Sequence, residues 1–206
     1  MSRIGIMGGT FNPIHIGHLM LAECAREELS LDEVWFIPTG CSYMKEKQLM
    51  RGNGMPLPEE RLEMTELALE NTPSFRCHDI EVKRAGNTYT YETLEELKRV
   101  NPEHQFFFIF GADCLYTIES WKEPERIFAA CDIVAAVRGD SSLDAMEEKI
   151  AQLRHNYGAR ITLLPFRNLE ISSTEIRERV KEGKSIRYMT PGRVISYIRE
   201  KGFYSE

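Results

Sequence analysis

The sequence predicts an α/β fold: a doubly wound parallel sheet with helices on both faces. Three observations predict it. Strand-like and helix-like segments alternate along the chain. The strand-like segments are continuous apolar runs, as in strands covered on both sides. Glycines close the first and the most apolar of those runs at their carboxyl ends.

Taken in order, Arg3 to Met7 (RIGIM) reads as a short buried strand that breaks at Gly8 and Gly9, and a helix follows from about His18 to Leu29. Val34 to Ile37 is the next strand, closed by Pro38. Residues 39 to 58, with three glycines and two prolines, form a long loop of the kind that is functional or mobile. Glu59 to Glu70 has helical periodicity, with Leu62, Leu67 and Leu69 among its apolar positions. Ser74 to Val82 holds one or two short strands, and Tyr91 to Val100 is helical. Gln105 to Phe110 (QFFFIF) is the most strand-like run and ends at Gly111. Ile133 to Val137 and Ile161 to Leu164 are further buried strands, and Ser172 to Glu182 and Pro191 to Lys201 are the closing helices. Open parallel sheets bind ligands at the carboxyl ends of their strands. Gly8 onward, Gly111 onward and the loop after Leu164 all lie at such ends and can converge on one crevice.

Composition narrows the function classes. A chain of 206 residues, 42% hydrophobic and 28% charged, can bury a full core as one domain spanning residues 1 to 206. A formal net charge of -6 lacks the basic footprint of nucleic-acid binding. A polyanionic ligand must therefore be held by a local cluster of cations and backbone donors. The five cysteines are odd in number, widely spaced and without a C-x-x-C pair, which fits reduced thiols in a cytoplasmic protein better than disulfides or zinc. No signal peptide and no membrane-spanning run is legible.

Two motifs carry chemistry. The first, Gly8 to His18 (GGTFNPIHIGH), follows a strand and opens a helix. Gly8 and Gly9 let backbone amides approach a ligand, Thr10 adds a hydroxyl, and Pro13 stiffens the turn. His15 and His18, three apart near a helix start, can face one side, and amides at a helix N-terminus suit phosphate. The segment is neither G-x-G-x-x-G nor a Walker A, and the histidine spacing is not that of a zinc site. A glycine turn carrying two surface histidines is the plain alternative. The second motif is Ile171 to Arg177 (ISSTEIR). Ser172 or Ser173 can cap a helix, with Glu175 or Glu178 supplying acidic character near its start. Alternatively the hydroxyls and free amides take up phosphate oxygens, with Arg177 one turn in adding a charge-assisted contact.

Together these segments resemble the bacterial nicotinate-nucleotide adenylyltransferase family, within the H-x-G-H nucleotidyl transferase superfamily. His15-Ile16-Gly17-His18 matches the H-x-G-H element, and Ser172 to Arg177 the S-S-T-x-I-R signature. The resemblance runs nearly the full length. It implies a Rossmann-like nucleotidyl transferase sandwich whose C-terminal helical element, residues 172 to 206, completes the ATP site. It implies transfer of the adenylyl group of ATP to nicotinate mononucleotide, with magnesium arriving on ATP and no dedicated protein metal ligands. Catalytic roles fall to His15, His18, Lys45 and Arg177. ATP binding falls to Gly8, Gly9, Thr10, Phe11, Gly111, Asp113, Ile171, Ser172, Ser173 and Thr174 together with His15, His18 and Arg177. Tyr89, Thr90, Trp121 and Arg138 match the family's mononucleotide residues, Trp121 as the ring-stacking tryptophan.

Each of those residues also has a structural alternative. Trp121 reads as core, Asp113 as a helix cap, and Tyr89 as a strand residue. The chain departs from the family at one place: many members carry P-P-H-K after the second strand, whereas Cys41 to Lys45 reads CSYMK, which keeps the lysine and puts Met44 where the histidine stands. Rival readings are a phosphopantetheine adenylyltransferase or a cytidylyltransferase, a class I aminoacyl-tRNA synthetase fragment, and a non-catalytic nucleotide sensor. The first two lack the Tyr89–Thr90, Trp121 and Arg138 combination. The synthetase needs a K-M-S-K-S partner, and a sensor leaves the retained His15, His18, Lys45 and Arg177 unexplained. Gly202 to Glu206 carries no functional signal in the sequence.

Overall fold

The structure, a computed structural model, describes residues 1–42, 55–138, 143–166 and 169–205. Its strands are β1 (Arg3–Gly9), β2 (Glu33–Pro38), β3 (Cys41–Ser42), β4 (Phe75–Cys77), β5 (Asn87–Thr88), β6 (Gln105–Gly111), β7 (Asp132–Arg138) and β8 (Ile161–Phe166). Its helices are α1 (Ile16–Glu28), α2 (Pro58–Leu69), α3 (Thr90–Val100), α4 (Asp113–Thr117), α5 (Pro124–Ala130), α6 (Leu143–Tyr157), α7 (Ser173–Lys181) and α8 (Gly192–Lys201). A six-stranded sheet runs in the order β4-β2-β1-β6-β7-β8, and β3 pairs with β5 separately. The pairings β1–β6, β6–β7 and β7–β8 are parallel, with Ile6 opposite Phe108, Phe110 opposite Ala135, and Ala136 opposite Leu164. This is the Rossmann-like α/β fold that the buried apolar runs predict.

Two compact units make up the chain. The first comprises Met1–Gly8, Leu21–Trp35 and Tyr89–Asn168. Its core is the β6 run Phe106 to Phe110 and the β7 run Ile133 to Ala136, all buried, covered by Leu94 and Leu97 of α3, Ile127 and Phe128 of α5, and Met146, Ile150 and Leu153 of α6. Strands buried on both faces need no polar alternation, which is why their sequences read as unbroken apolar runs. Gly5 is required by closeness: a Cβ there would lie 2.8 Å from Ile109 and 2.9 Å from Leu31.

The second unit comprises Gly9–Met20, Phe36–Thr88 and Leu169–Glu206. Its core joins Phe11, Ile14, Phe36 and Ile37 to Met64 and Leu69 of α2, Ile176 of α7, and Val194, Ile195 and Ile198 of α8. Leu57 precedes α2, and its amide donates to the Glu60 carboxylate at 2.8 Å; Pro58 opens the helix, where its missing N–H costs nothing.

Several sequence expectations need correction. Helices α4, α5 and α6 are absent from the sequence reading, although Met146, Ile150 and Leu153 of α6 recur at spacings of four and three on one buried stripe. In α2 the buried stripe is Arg61, Met64, Thr65 and Leu69, whereas Leu62 and Leu67 are only half-buried. Ser74 to Val82 holds one short strand, Phe75–Cys77, within the one or two expected. Helix α1 begins at Ile16, two residues before the expected start, so Gly17 and His18 sit in its first turn.

Candidate nucleotide site

The turn from β1 into α1 lies in the second unit from Gly9 onward. Phe11 takes a left-handed backbone (φ 47), folding its ring back against the chain. A Cβ on Gly9 would meet that ring at 2.9 Å, so glycine at 9 is what lets the ring fold. The peptide between Asn12 and Pro13 is cis. Buried Phe11 then stands edge-on to His18, with ring centroids 5.1 Å apart, and packs on Phe36 at 5.8 Å.

His15 and His18 stack on each other, with centroids 3.7 Å apart and planes inclined by 27°. The His15 amide donates to His18 Nδ1 at 3.2 Å. That bond fixes the tautomer: with Nδ1 accepting, the proton of neutral His18 sits on Nε2. His15 is 8% exposed, and its Nδ1 is buried without a hydrogen-bond partner among the described residues. Burial holds the His15 pKa down to about 4, and burial followed by the charge of His15 holds His18 down to about 3. Both rings are therefore neutral in the free protein near pH 7. Gly17 completes the arrangement, because a Cβ there would lie 3.1 Å from His15 Nδ1.

The carbonyls of this turn are held one by one. Arg177 Nη1 donates to Asn12 O at 2.8 Å, Ser173 Oγ to Pro13 O at 2.9 Å, and Thr190 Oγ1 to Ile14 O at 2.7 Å. The Ile16 amide donates to Met189 O at 2.9 Å. The two sequence motifs are thus laced together directly. Ser172 is the N-cap of α7 and accepts from the Glu175 amide at 3.1 Å, and Arg177 Nη2 donates to Thr174 Oγ1 at 3.0 Å. Of the two candidate caps, Ser172 caps the helix and Ser173 reaches across to the turn. The α7 N-terminus and its arginine remain half-buried to exposed.

Arg61 is a residue the sequence reading missed. It is 0% exposed, with Nη1 donating to Thr10 O at 2.6 Å and Nη2 to Thr39 O at 2.6 Å and Gly40 O at 3.3 Å. Burial lowers its pKa to about 10, which leaves it charged at neutral pH. The available signal is its place at i, i+3, i+4 and i+8 with Met64, Thr65 and Leu69 on the buried stripe of α2. Tyr204 is the second miss. It is buried, and its hydroxyl donates to Asn12 Oδ1 at 2.6 Å.

The first unit carries the other sequence-predicted residues. Gly8 is exposed at the end of β1, and Gly111 closes β6 with open space where a Cβ would stand. Asp113 is exposed at the first position of α4; the residue at the cap position is Ala112, which excludes the helix-cap alternative. Trp121 is half-buried, its ring 6.3 Å from both Phe108 and Phe110, which share one face of β6. Tyr89 is the extended N-cap of α3, stacked on Tyr91 at 6.0 Å, and half-buried Thr90 is the first helical residue. Arg138 ends β7 opposite Phe166. Ile171, by contrast, lies in the second unit, half-buried just before α7. Lys45 and Met44 lie outside the described residues. No group of three or more His, Cys, Asp or Glu side chains able to hold a metal stands together among the described residues, and no described helix is long and apolar enough to cross a membrane. The five cysteines are free thiols.

Comparison with known proteins places the chain. The family model described as Cytidylyltransferase-like matches residues 6–179. A protein of Lachnoclostridium phytofermentans named "Probable nicotinate-nucleotide adenylyltransferase" is 46% identical over 205 residues, covering 99% of this chain and 100% of that one. One of the same name from Exiguobacterium sibiricum is 39% identical, covering 98% and 99%. Among solved structures, Plasmodium falciparum nicotinic acid mononucleotide adenylyltransferase complexed with NaAD has the same fold, with a TM-score of 0.77, 22% identity and coverage of 99% and 98%.

Proposed function

Because the chain belongs to the cytidylyltransferase-like family and, within it, to the nicotinate-nucleotide adenylyltransferases, we infer that it transfers the adenylyl group of ATP to nicotinate mononucleotide. The products are nicotinate adenine dinucleotide and pyrophosphate, in a step of NAD synthesis carried out in the cytoplasm. A phosphate oxygen of the mononucleotide forms a bond to the α-phosphorus, and the bond from that phosphorus to the β-bridging oxygen breaks. The attacking phosphate is already an anion, so the reaction needs no strong base; positioning and charge stabilisation carry the catalysis.

The observation that carries this reading is the neutral, stacked histidine pair with a fixed tautomer. His18 Nε2–H is a donor held in place before the substrate arrives, suited to the α-phosphate as charge develops there. His15 backs His18 by stacking on it, and the Gly9–Thr10 backbone and the first turn of α7 supply the remaining polar lining for the phosphates. Arg177, with five N–H donors of which the turn and Thr174 engage two groups, steadies the pyrophosphate together with Lys45. Phe11 walls His18, and Gly111, Asp113 and Ile171 border the nucleotide. Tyr89, Thr90, Trp121 and Arg138 hold the pyridine mononucleotide, Trp121 by stacking on the ring over its Phe108–Phe110 support.

Magnesium would arrive on the nucleotide, held by its phosphate oxygens, while the imidazoles and hydroxyls of the turn contact the same phosphates. When bound, the ion neutralises phosphate charge. A pyrophosphate-release assay with ATP and each mononucleotide tests the reading. Nicotinate mononucleotide should turn over well ahead of the amide, and equal rates on the two contradict acid specificity.

A further inference from the structure

The segment after α8 carries no motif, yet it reaches the phosphate-binding turn. Gly202 ends α8 in the left-handed region (φ 67), which only glycine adopts without strain, and the Phe203 amide returns to Ile198 O at 3.1 Å. Phe203 is buried against Tyr197, with centroids 5.9 Å apart, and the chain then turns again at Tyr204 (φ 64). This drives the Tyr204 ring inward until it is 3% exposed, with its hydroxyl 2.6 Å from Asn12 Oδ1. Asn12 is itself buried, and its backbone carbonyl is the acceptor for Arg177 Nη1 at 2.8 Å. One residue therefore ties Tyr204, through its side chain, to Arg177, through its backbone. Burial keeps the phenol protonated, while the nearby charges of Arg177 and Arg61 act in the opposite sense.

We propose that Tyr204 is a positioning residue for ATP: by holding Asn12 it fixes the carbonyl that orients Arg177 and the turn bearing His15. The Thr10, Pro13 and Ile14 carbonyls of that turn accept from Arg61, Ser173 and Thr190, and Tyr204 adds a hold on Asn12. A buried tyrosine with a partner elsewhere provides the contrast. The Tyr197 hydroxyl donates to Glu63 at 2.5 Å, and among the described residues it makes no bond to the turn. Loss of either phenol oxygen is the same chemical change in the same C-terminal part of the chain, and only one of them touches Asn12.

The inference rests on the turn being an ATP site, so its test has one arm that needs no acceptor substrate. ATP binding by calorimetry and steady-state constants are measured for the full-length chain, Tyr204→Phe and Tyr197→Phe, with Tm recorded for each. Tyr204→Phe should weaken ATP binding and raise the KM for ATP about tenfold, the worth of one well-made hydrogen bond, and leave the KM for nicotinate mononucleotide within about twofold. Tyr197→Phe should leave both constants within about twofold while lowering Tm. Arg177→Lys with Tyr204→Phe should bind ATP no more than about twofold more weakly than Arg177→Lys alone, because both act through Asn12. ATP binding by Tyr204→Phe at the wild-type level, an equal loss in Tyr197→Phe, or fully additive losses in the double variant would each overturn the proposal. Wild-type protein that binds ATP but releases no pyrophosphate with nicotinate mononucleotide would instead contradict the substrate assignment and leave the Tyr204 comparison intact.

Discussion

The His15 amide donates to His18 Nδ1 at 3.2 Å while the two imidazoles stack 3.7 Å apart. One backbone bond thereby decides which nitrogen of His18 carries the proton, and the stack decides where that nitrogen is held. From this follows the first prediction. His18→Ala should lower kcat by two or more orders of magnitude, about 3 kcal/mol of transition-state stabilisation, with a much smaller change in the KM for ATP. Steady-state kinetics check it, and near-wild-type turnover would refute the role of His18.

Gly17→Ala separates stability from activity. Alanine is the better helix former by up to ~1 kcal/mol, but its Cβ would sit 3.1 Å from a buried imidazole that already stacks on His18. The two effects on stability largely offset each other, whereas the displaced ring does not return to its position. Tm should change by no more than about 3 °C while kcat falls about tenfold, as expected for a small misplacement of a catalytic group.

The pH dependence of stability has a definite sign. Both histidines have folded-state pKa values below the ordinary 6.5, at about 4 and about 3. The unfolded chain binds protons below pH 6.5 that the folded one refuses. The contribution is therefore fully present above pH 6.5, is lost progressively as pH falls below that value, and is gone below the two folded-state values. Between pH 7 and 5 the loss should be on the order of 1–2 kcal/mol per ring. Denaturant unfolding at the two pH values should show this drop in the wild type and a smaller one in His15→Asn; equal slopes would contradict the buried, neutral assignment.

Arg61 provides the fourth prediction. Arg61→Met keeps the length of the side chain but leaves the carbonyls of Thr10, Thr39 and Gly40 without their donor. Breaking such a buried charge-assisted set should cost about 3–5 kcal/mol, seen as a Tm lowered by roughly 10 °C. Thermal unfolding of the two proteins side by side checks it, and an unchanged Tm would mean that the guanidinium does not brace the turn.

The parts of this protein that the sequence made legible are those where one local rule decides. Phe106 to Phe110 is strand because an unbroken apolar run fits only a doubly covered sheet, and Ser172 caps α7 because its hydroxyl meets an orphan amide three residues on. His15 and His18 were legible as a pair through their spacing. What stayed hidden depends on distant partners. Arg61 looks like an ordinary exposed charge in the first turn of a charge-rich helix, and only the carbonyls of Thr10 and Thr39 make its burial favourable. Tyr204 carries no pattern at all; its partner Asn12 is 192 positions away. Helix α6 was missed for a different reason, since its buried stripe is interrupted by six charged or amide side chains between Met146 and Tyr157 and only the recurrence of Met146, Ile150 and Leu153 reveals it.

The central claim is that the histidine pair and Arg177 grip the same triphosphate. A crystal structure of the protein with a non-hydrolysable ATP analogue measures it directly. His18 Nε2 should lie about 2.7–3.1 Å from an α-phosphate oxygen, with the Arg177 guanidinium on the β- or γ-phosphate of the same molecule. A nucleotide whose phosphates lie against only one of these groups would contradict it.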